Sequence, residues 1–138
     1  MFRDRHGIGL NETCISQAES LGKYLAEPKL EAIYSTPLKR ALDTAVSVAR
    51  YQNLDIRITQ ELIDLDYGAW EEQTHQAVKG NYPELYRKWL NAPHRVDFPD
   101  GENMEEVRER VKILLDSLLA KHAGKLALVS HRVVSKVR

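Results

Sequence analysis

The sequence predicts a three-layer α/β domain in which helices cover both faces of a mainly parallel sheet. Three stretches carry that prediction. Ala32, Ile33 and Tyr34 form a short apolar run suited to a buried strand, and a helical repeat at Leu38, Ala41, Leu42 and Ala45 follows at once. Leu126 to Val129 is a second such run, preceded by a long stretch with apolar residues at Met104, Val107, Val111, Leu114, Leu115 and Leu118. Between them, Asp55 to Thr59 alternates as a half-covered strand does. Strands separated by helices pair in parallel, because a parallel crossover needs about the length of a helix.

With 138 residues, 43% of them hydrophobic, the chain can bury one modest core and reads as a single domain. Its twenty acidic and twenty basic residues cancel and are interspersed, which argues against a nucleic-acid partner. No aliphatic run is long enough to span a bilayer, and the charged start from Met1 to Arg5 leads into no apolar segment of a secretory signal. Cys14 is the single cysteine, so no internal disulfide forms; a cytoplasmic location and a small buried role for Cys14 are expected.

In chain order, Asn11 is placed to cap a first helix whose apolar face is Cys14, Ile15, Ala18, Leu21 and Leu25, with Pro28 ending it. After the strand at Ala32, Ser35 and Thr36 can cap the second helix and Pro37 suits its first turn. That helix is expected from Leu38 to about Tyr51, with Arg40 in its first turn and off the apolar stripe. A strand that turns abruptly into a helix leaves backbone N–H groups at the carboxyl edge of the sheet, where phosphate groups bind. Asp64 and Asp66 stand two apart in an extended piece, so they point to opposite sides, one to a cleft and one to solvent.

Residues 74–99 carry the weakest signals. Tyr82 to Leu90 reads as a short amphipathic helix, and Ala92 to Gly101 as a loop. His75 and His94 lack metal-ligand spacing, and no metal or other cofactor is expected. Asn103 and Glu106 form a capping arrangement for the long helix, which Gly124 is expected to close. The strand at Leu126 then ends in Ser130 and His131, which places His131 at the edge of a cleft.

The run from Tyr34 to Ala45, with Ser35, Thr36, Pro37 and Arg40 in it, resembles the second signature block of the histidine phosphatase superfamily, in its phosphoglycerate-mutase-like branch. Other blocks follow in that family's order. Leu10, Asn11, Glu12, Gln17 and Ala18 match the first-helix block, with Cys14 in place of a glycine. Leu62, Asp64, Tyr67, Gly68 and Trp70 resemble the third block; Phe98 to Asn103 approximates a proline-glycine-glycine-glutamate turn; Ser130 and His131 resemble the last catalytic block, with Arg132 in place of a glycine. The resemblance implies a phosphoglycerate-mutase-like fold. It implies that Arg40 grips a phosphoryl group together with His131, that Asp64 protonates the leaving oxygen, and that Tyr67 lines the substrate pocket. It also makes residues 71–101 a lid, in which Lys79, Arg87, Lys88 and Arg95 could meet an anionic substrate.

Arg5, His6 and Gly7 imitate the family's nucleophile block but lack its context. No apolar strand precedes them, and Leu10 follows almost at once where the family has a long loop. The expectation is therefore a truncated domain, incomplete at both ends, that lacks the nucleophilic histidine. The activity the resemblance implies is hydrolysis of a small phosphorylated metabolite through a phosphohistidine. Three alternatives stay open: phosphoryl transfer of the phosphoglycerate-mutase type, a non-catalytic phosphate-binding remnant, and an enzyme whose His6 is the nucleophile, reached through an unusually short loop.

Overall fold

A computed structural model describes residues 1–3 and 5–137. Five helices and three strands follow in the order α1 (Glu12–Tyr24), β1 (Leu30–Ser35), α2 (Lys39–Gln52), β2 (Ile56–Ile58), α3 (His75–Asn81), α4 (Pro83–Asn91), α5 (Met104–Lys121) and β3 (Lys125–Val129) among the described residues. The sheet has the order β2-β1-β3 and is parallel throughout. Ile33 pairs with Ile56 on one side and Ala127 on the other, and Ser35 lies level with Ile58 and Val129. All three carboxyl ends therefore open on one edge.

Each face of the sheet has its own core, as the three-layer prediction requires. On one face Leu30 and Ile33 pack with Ala45 and Val48 of α2, with Ala127 and Val129 alongside. Leu30 reaches that face because the β1–β3 register shifts between Leu30 and Ala32. On the other face Ala32 and Tyr34 join Val107, Val111 and Leu118 of α5. That core extends into an aromatic cluster in which Trp70, fully buried, lies 5.0 Å from both Phe2 and Phe98 in edge-on contacts.

Several expectations need correction. On α1 only Ala18 and Gly22 are buried, while Ile15 and Leu21 are exposed. The reason is close approach: Gly22 sits against the Ser47 carbonyl of α2, where any Cβ would overlap it. Cys14 is only half-buried. Residues 75–81, read as featureless, form α3, capped by the Thr74 hydroxyl accepting from the Ala77 N–H. The Asn103–Glu106 capping box forms as expected, but α5 stops at Lys121, with His122 already extended, three residues short of Gly124. Strand β3 is less covered than a buried parallel strand, with Leu128 exposed, because no strand pairs with its outer edge among the described residues. Among the described residues no helix is long and apolar enough to cross a membrane.

Candidate active site

The carboxyl edge of the sheet borders a cleft of about 1270 Å³, and Arg40, Asp64, Tyr67 and His131 all line it. Three different elements bring these residues there. Arg40 is the second residue of α2, directly after the tight exit from β1. His131 follows β3 by two residues. Asp64 lies in an irregular segment between the short 3-10 turns Gln60–Leu62 and Gly68–Trp70.

The side chains converge on one carboxylate oxygen. Asp64 Oδ2 accepts from Arg40 Nη2 at 3.1 Å, with only 15% and 14% of the two side chains exposed. His131 Nδ1 approaches the same oxygen at 3.7 Å. The other oxygen, Oδ1, accepts from the Leu65 N–H at 3.0 Å. Arg40 and His131, far apart in the chain, thus share one anionic group.

Thr36 completes the arrangement, in a role that its neighbours in the sequence do not suggest. It was expected to cap α2. Instead Leu38 stands at the N-cap position with no side-chain cap, and the Thr36 hydroxyl meets His131 Nε2 at 2.9 Å in full burial. The register accounts for the contact: Ser35 lies level with Val129, so the residues just beyond each strand face one another. The Leu38 N–H reaches the same hydroxyl at 3.4 Å. Where that hydroxyl donates to Nε2, the neutral ring carries its proton on Nδ1, toward Asp64. Burial holds the imidazole below its ordinary pKa; the Asp64 carboxylate works against that, and Arg40, Arg110 and Arg3 reinforce it.

Tyr67 is half-buried beside Phe2 and Phe98, at ring distances of 5.2 and 5.1 Å. Burial, with Asp64 adding to it, pushes its phenol up to about 12, so it stays a neutral hydrogen-bonding group. Asp66 points away from Asp64, as the spacing predicted. It does not merely meet solvent, since it pairs with Arg5 at 3.4 Å and accepts from the Gly68 N–H at 2.8 Å.

The further cations of the cleft do not come from the expected lid segment, whose basic residues are more commonly solvated surface charges. Lys79, Arg87, Lys88 and Arg95 do not line the cleft, and Arg87 pairs locally with Glu84. Arg3, Arg108, Arg132 and Lys136 line it instead, from the two ends of the chain and α5. His75 and His94, given no role from the sequence, line it too; His75 stacks with Phe2 at 4.6 Å and Trp89 at 5.6 Å. His6 lies exposed in a bend and is not a lining residue, and no group of His, Cys, Asp and Glu is placed to hold a metal ion among the described residues.

Comparisons with known proteins bear on the family and the fold. The family model of the histidine phosphatase superfamily (branch 1) matches residues 1–137. Phosphoserine phosphatase 1 of Hydrogenobacter thermophilus is 36% identical over 125 residues, covering 90% of this chain and 59% of that protein. The bifunctional protein Rv2228c of Mycobacterium tuberculosis is 35% identical over 133 residues, 96% of this chain and 36% of its own length. The chain thus spans little more than half, or less, of these relatives. Among solved structures, Bacillus stearothermophilus YhfR superposes with a TM-score of 0.91 at 30% identity, over 99% of this chain and 68% of that one. The mycobacterial glucosyl-3-phosphoglycerate phosphatase Rv2419c has the same fold, with a TM-score of 0.88 at 24% identity over 96% and 66%.

Proposed function

The chain belongs to the histidine phosphatase superfamily, and on that premise we propose that its cleft is the oxyanion and proton-donor half of a phosphomonoester hydrolase. The observation that carries this reading is the convergence of Arg40 and His131 on the single oxygen Asp64 Oδ2. An oxygen held between a guanidinium and an imidazole is where a phosphoryl oxygen belongs. Arg40 can bridge two such oxygens through its planar fork. His131, once protonated, donates to the negative charge that grows on the phosphoryl group.

In the reaction so assigned, a histidine nitrogen attacks phosphorus as the ester P–O bond breaks, and Asp64 gives its proton to the departing alcohol oxygen. Water then attacks the phosphohistidine, the N–P bond breaks, and Asp64 takes up the proton of that water. His131 is a poor nucleophile here, because its two nitrogens face Thr36 and Asp64. Arg5, His6 and Gly7 leave no strand end, and Arg5 is turned to the Asp64 backbone. The chain on its own therefore binds oxyanions without rapid turnover.

The substrate class is a small phosphorylated metabolite, in keeping with Arg3, Arg132 and Lys136 around the cleft. Residues 71–101 act as its lid, since His75, Trp89, Leu90, Pro93 and His94 line the cleft from that side. The single half-buried cysteine fits a cytoplasmic protein.

The test is inorganic phosphate binding together with hydrolysis of an aryl phosphate by the purified chain. Phosphate should bind weakly and Arg40→Ala should abolish the binding, with Arg40→Lys restoring little of it. Turnover should stay below about 1 per second, the low end for enzymes, and His6→Ala should leave it unchanged. Phosphate binding untouched by Arg40→Ala would overturn the site assignment. Faster turnover that His6→Ala destroys would make His6 the nucleophile.

A further inference from the structure

The acid segment raises a mechanical problem that neither helix nor strand solves. Residues 63–67 belong to no regular element, yet their backbone carbonyls must be paired and the Asp64 backbone must be placed at the cleft. Two arginines and one glutamate do this. Arg5 donates from Nε and Nη2 to the Asp64 carbonyl oxygen, at 3.1 and 2.8 Å. Arg110 donates from Nη2 to the Ile63 carbonyl at 2.8 Å and from Nη1 to that of Glu61. The Glu102 carboxylate ties the two together. It accepts from Arg5 at 3.2 Å and from Arg110 at 2.7 and 3.0 Å, and the Glu102 N–H donates to the Asp66 carbonyl at 2.9 Å.

We infer that Arg5, Glu102 and Arg110 form a clamp that positions the Asp64 carboxylate toward Arg40 and His131. The inference rests on the functional reading above for its purpose and on these contacts for its existence. None of the three lines the cleft, so each acts through Asp64 and is a positioning residue. Arginine is required at both places. A guanidinium has several donors in a rigid plane and can serve a carbonyl and a carboxylate at once, which an ammonium does poorly. The turn that carries Glu102 is shaped for this close approach. Gly101 comes within 2.6 Å of the Asp66 carbonyl at the position a Cβ would take, so only glycine lets the two segments meet. The arginine of the Arg5, His6 and Gly7 motif therefore serves the acid instead of a nucleophile.

The experiment reads His131, which faces Asp64, Arg40, Thr36 and, at longer range, Arg110 and Arg3. Its ring signals are followed by NMR against pH in the whole chain, with Arg5 and Asp64 replaced singly and together. Arg110 is left intact because it acts on His131 directly. Asp64→Asn removes the attraction that favours the imidazolium and should lower the midpoint. Arg5→Ala should lower it in the same direction, by about half a pH unit, and should add nothing once Asp64→Asn is present. Arg5→Lys should restore only part of the shift. An unchanged midpoint in folded Arg5→Ala, or an equal shift with and without the Asp64 carboxylate, would overturn the clamp. Should Arg5→Ala fail to fold, Glu102→Gln carries the same test, since it removes the charge that holds both arginines. Phosphate titration of the same samples keeps the two readings apart: binding that ignores Arg40→Ala removes the functional assignment, whereas the clamp stands or falls on the His131 pattern alone.

Discussion

If Arg40 and His131 receive an oxyanion as proposed, Asp64 occupies its place, so removing the Asp64 charge should strengthen oxyanion binding. The carboxylate oxygen lies 3.1 Å from Arg40 and 3.7 Å from His131. A phosphoryl or sulfate oxygen bridging the same two groups would displace it or stand beside it. Two unit charges about 4 Å apart interact by about 4 kcal/mol at an effective dielectric of about 20, and by about 1 kcal/mol in water. With the Asp64 side chain 14% exposed, the site lies between these limits. The carboxylate can also swing aside, which recovers part of the repulsion. A net gain of about 1.5–3 kcal/mol, or about 10- to 100-fold in affinity, is therefore expected for Asp64→Asn. The substitution keeps the shape and still offers Arg40 an acceptor.

Sulfate is the suitable probe because its charge is constant across the pH range of interest. Calorimetric titration at pH 8 reads the affinity, with a parallel unfolding curve to verify the fold. In the wild type the affinity should rise as the pH falls, because bound sulfate favours a protonated His131, which burial otherwise keeps neutral. Unchanged or weaker sulfate binding in folded Asp64→Asn at pH 8 would show that the carboxylate does not stand in for the ligand. The cleft would then lose the central contact that makes it an oxyanion site.

Two further predictions concern stability. Gly68 has φ of +52°, and a Cβ there would overlap the backbone at Pro99 and Asp100, so Gly68→Ala should cost about 2–4 kcal/mol in urea denaturation. Gly80, in α3 with open space at its Cβ position, is the control, and Gly80→Ala should stabilise by about 0.5–1 kcal/mol. The pH dependence follows from the sign of the His131 shift. Its folded pKa lies below the ordinary 6.5, so the unfolded chain binds more protons, and stability present above that value is lost as pH falls through the folded one. Urea midpoints between pH 7.5 and 5.5 should show this slope and His131→Gln should flatten it; identical slopes would refute the contribution.

The fold was legible where one local rule decided the outcome. The abrupt passage from β1 to α2, the Asn103–Glu106 box and the apolar run of β3 each follow from adjacent residues. So do the positions of Arg40 and His131, because strand ends in a parallel sheet share one edge. What was not legible depends on contacts between distant segments. Nothing near Thr36 tells that its hydroxyl leaves the helix end for a histidine 95 residues away. The need for Gly22 shows only once α2 is laid against α1. Of the cleft's cations, Arg3, Arg132 and Lys136 lie near the chain ends, where sequence periodicity is silent.

The support of the site residues differs, and that difference has a chemical consequence. Arg40 is fixed by the first turn of α2, which leaves the central strand β1 paired on both sides, and His131 by the end of β3. Asp64 is fixed by guanidinium groups and one carboxylate, with Arg5 about a third exposed and Glu102 18% exposed. Ion pairs open to water weaken with salt, whereas backbone ladders do not. On the proposed assignment, the receptor for the phosphoryl group is therefore built on rigid elements, and the proton donor on an adjustable one. Such a division suits the two roles. A phosphoryl oxygen needs fixed donors to stabilise its charge, while the acid must yield its place between Arg40 and His131 before it can reach the leaving oxygen.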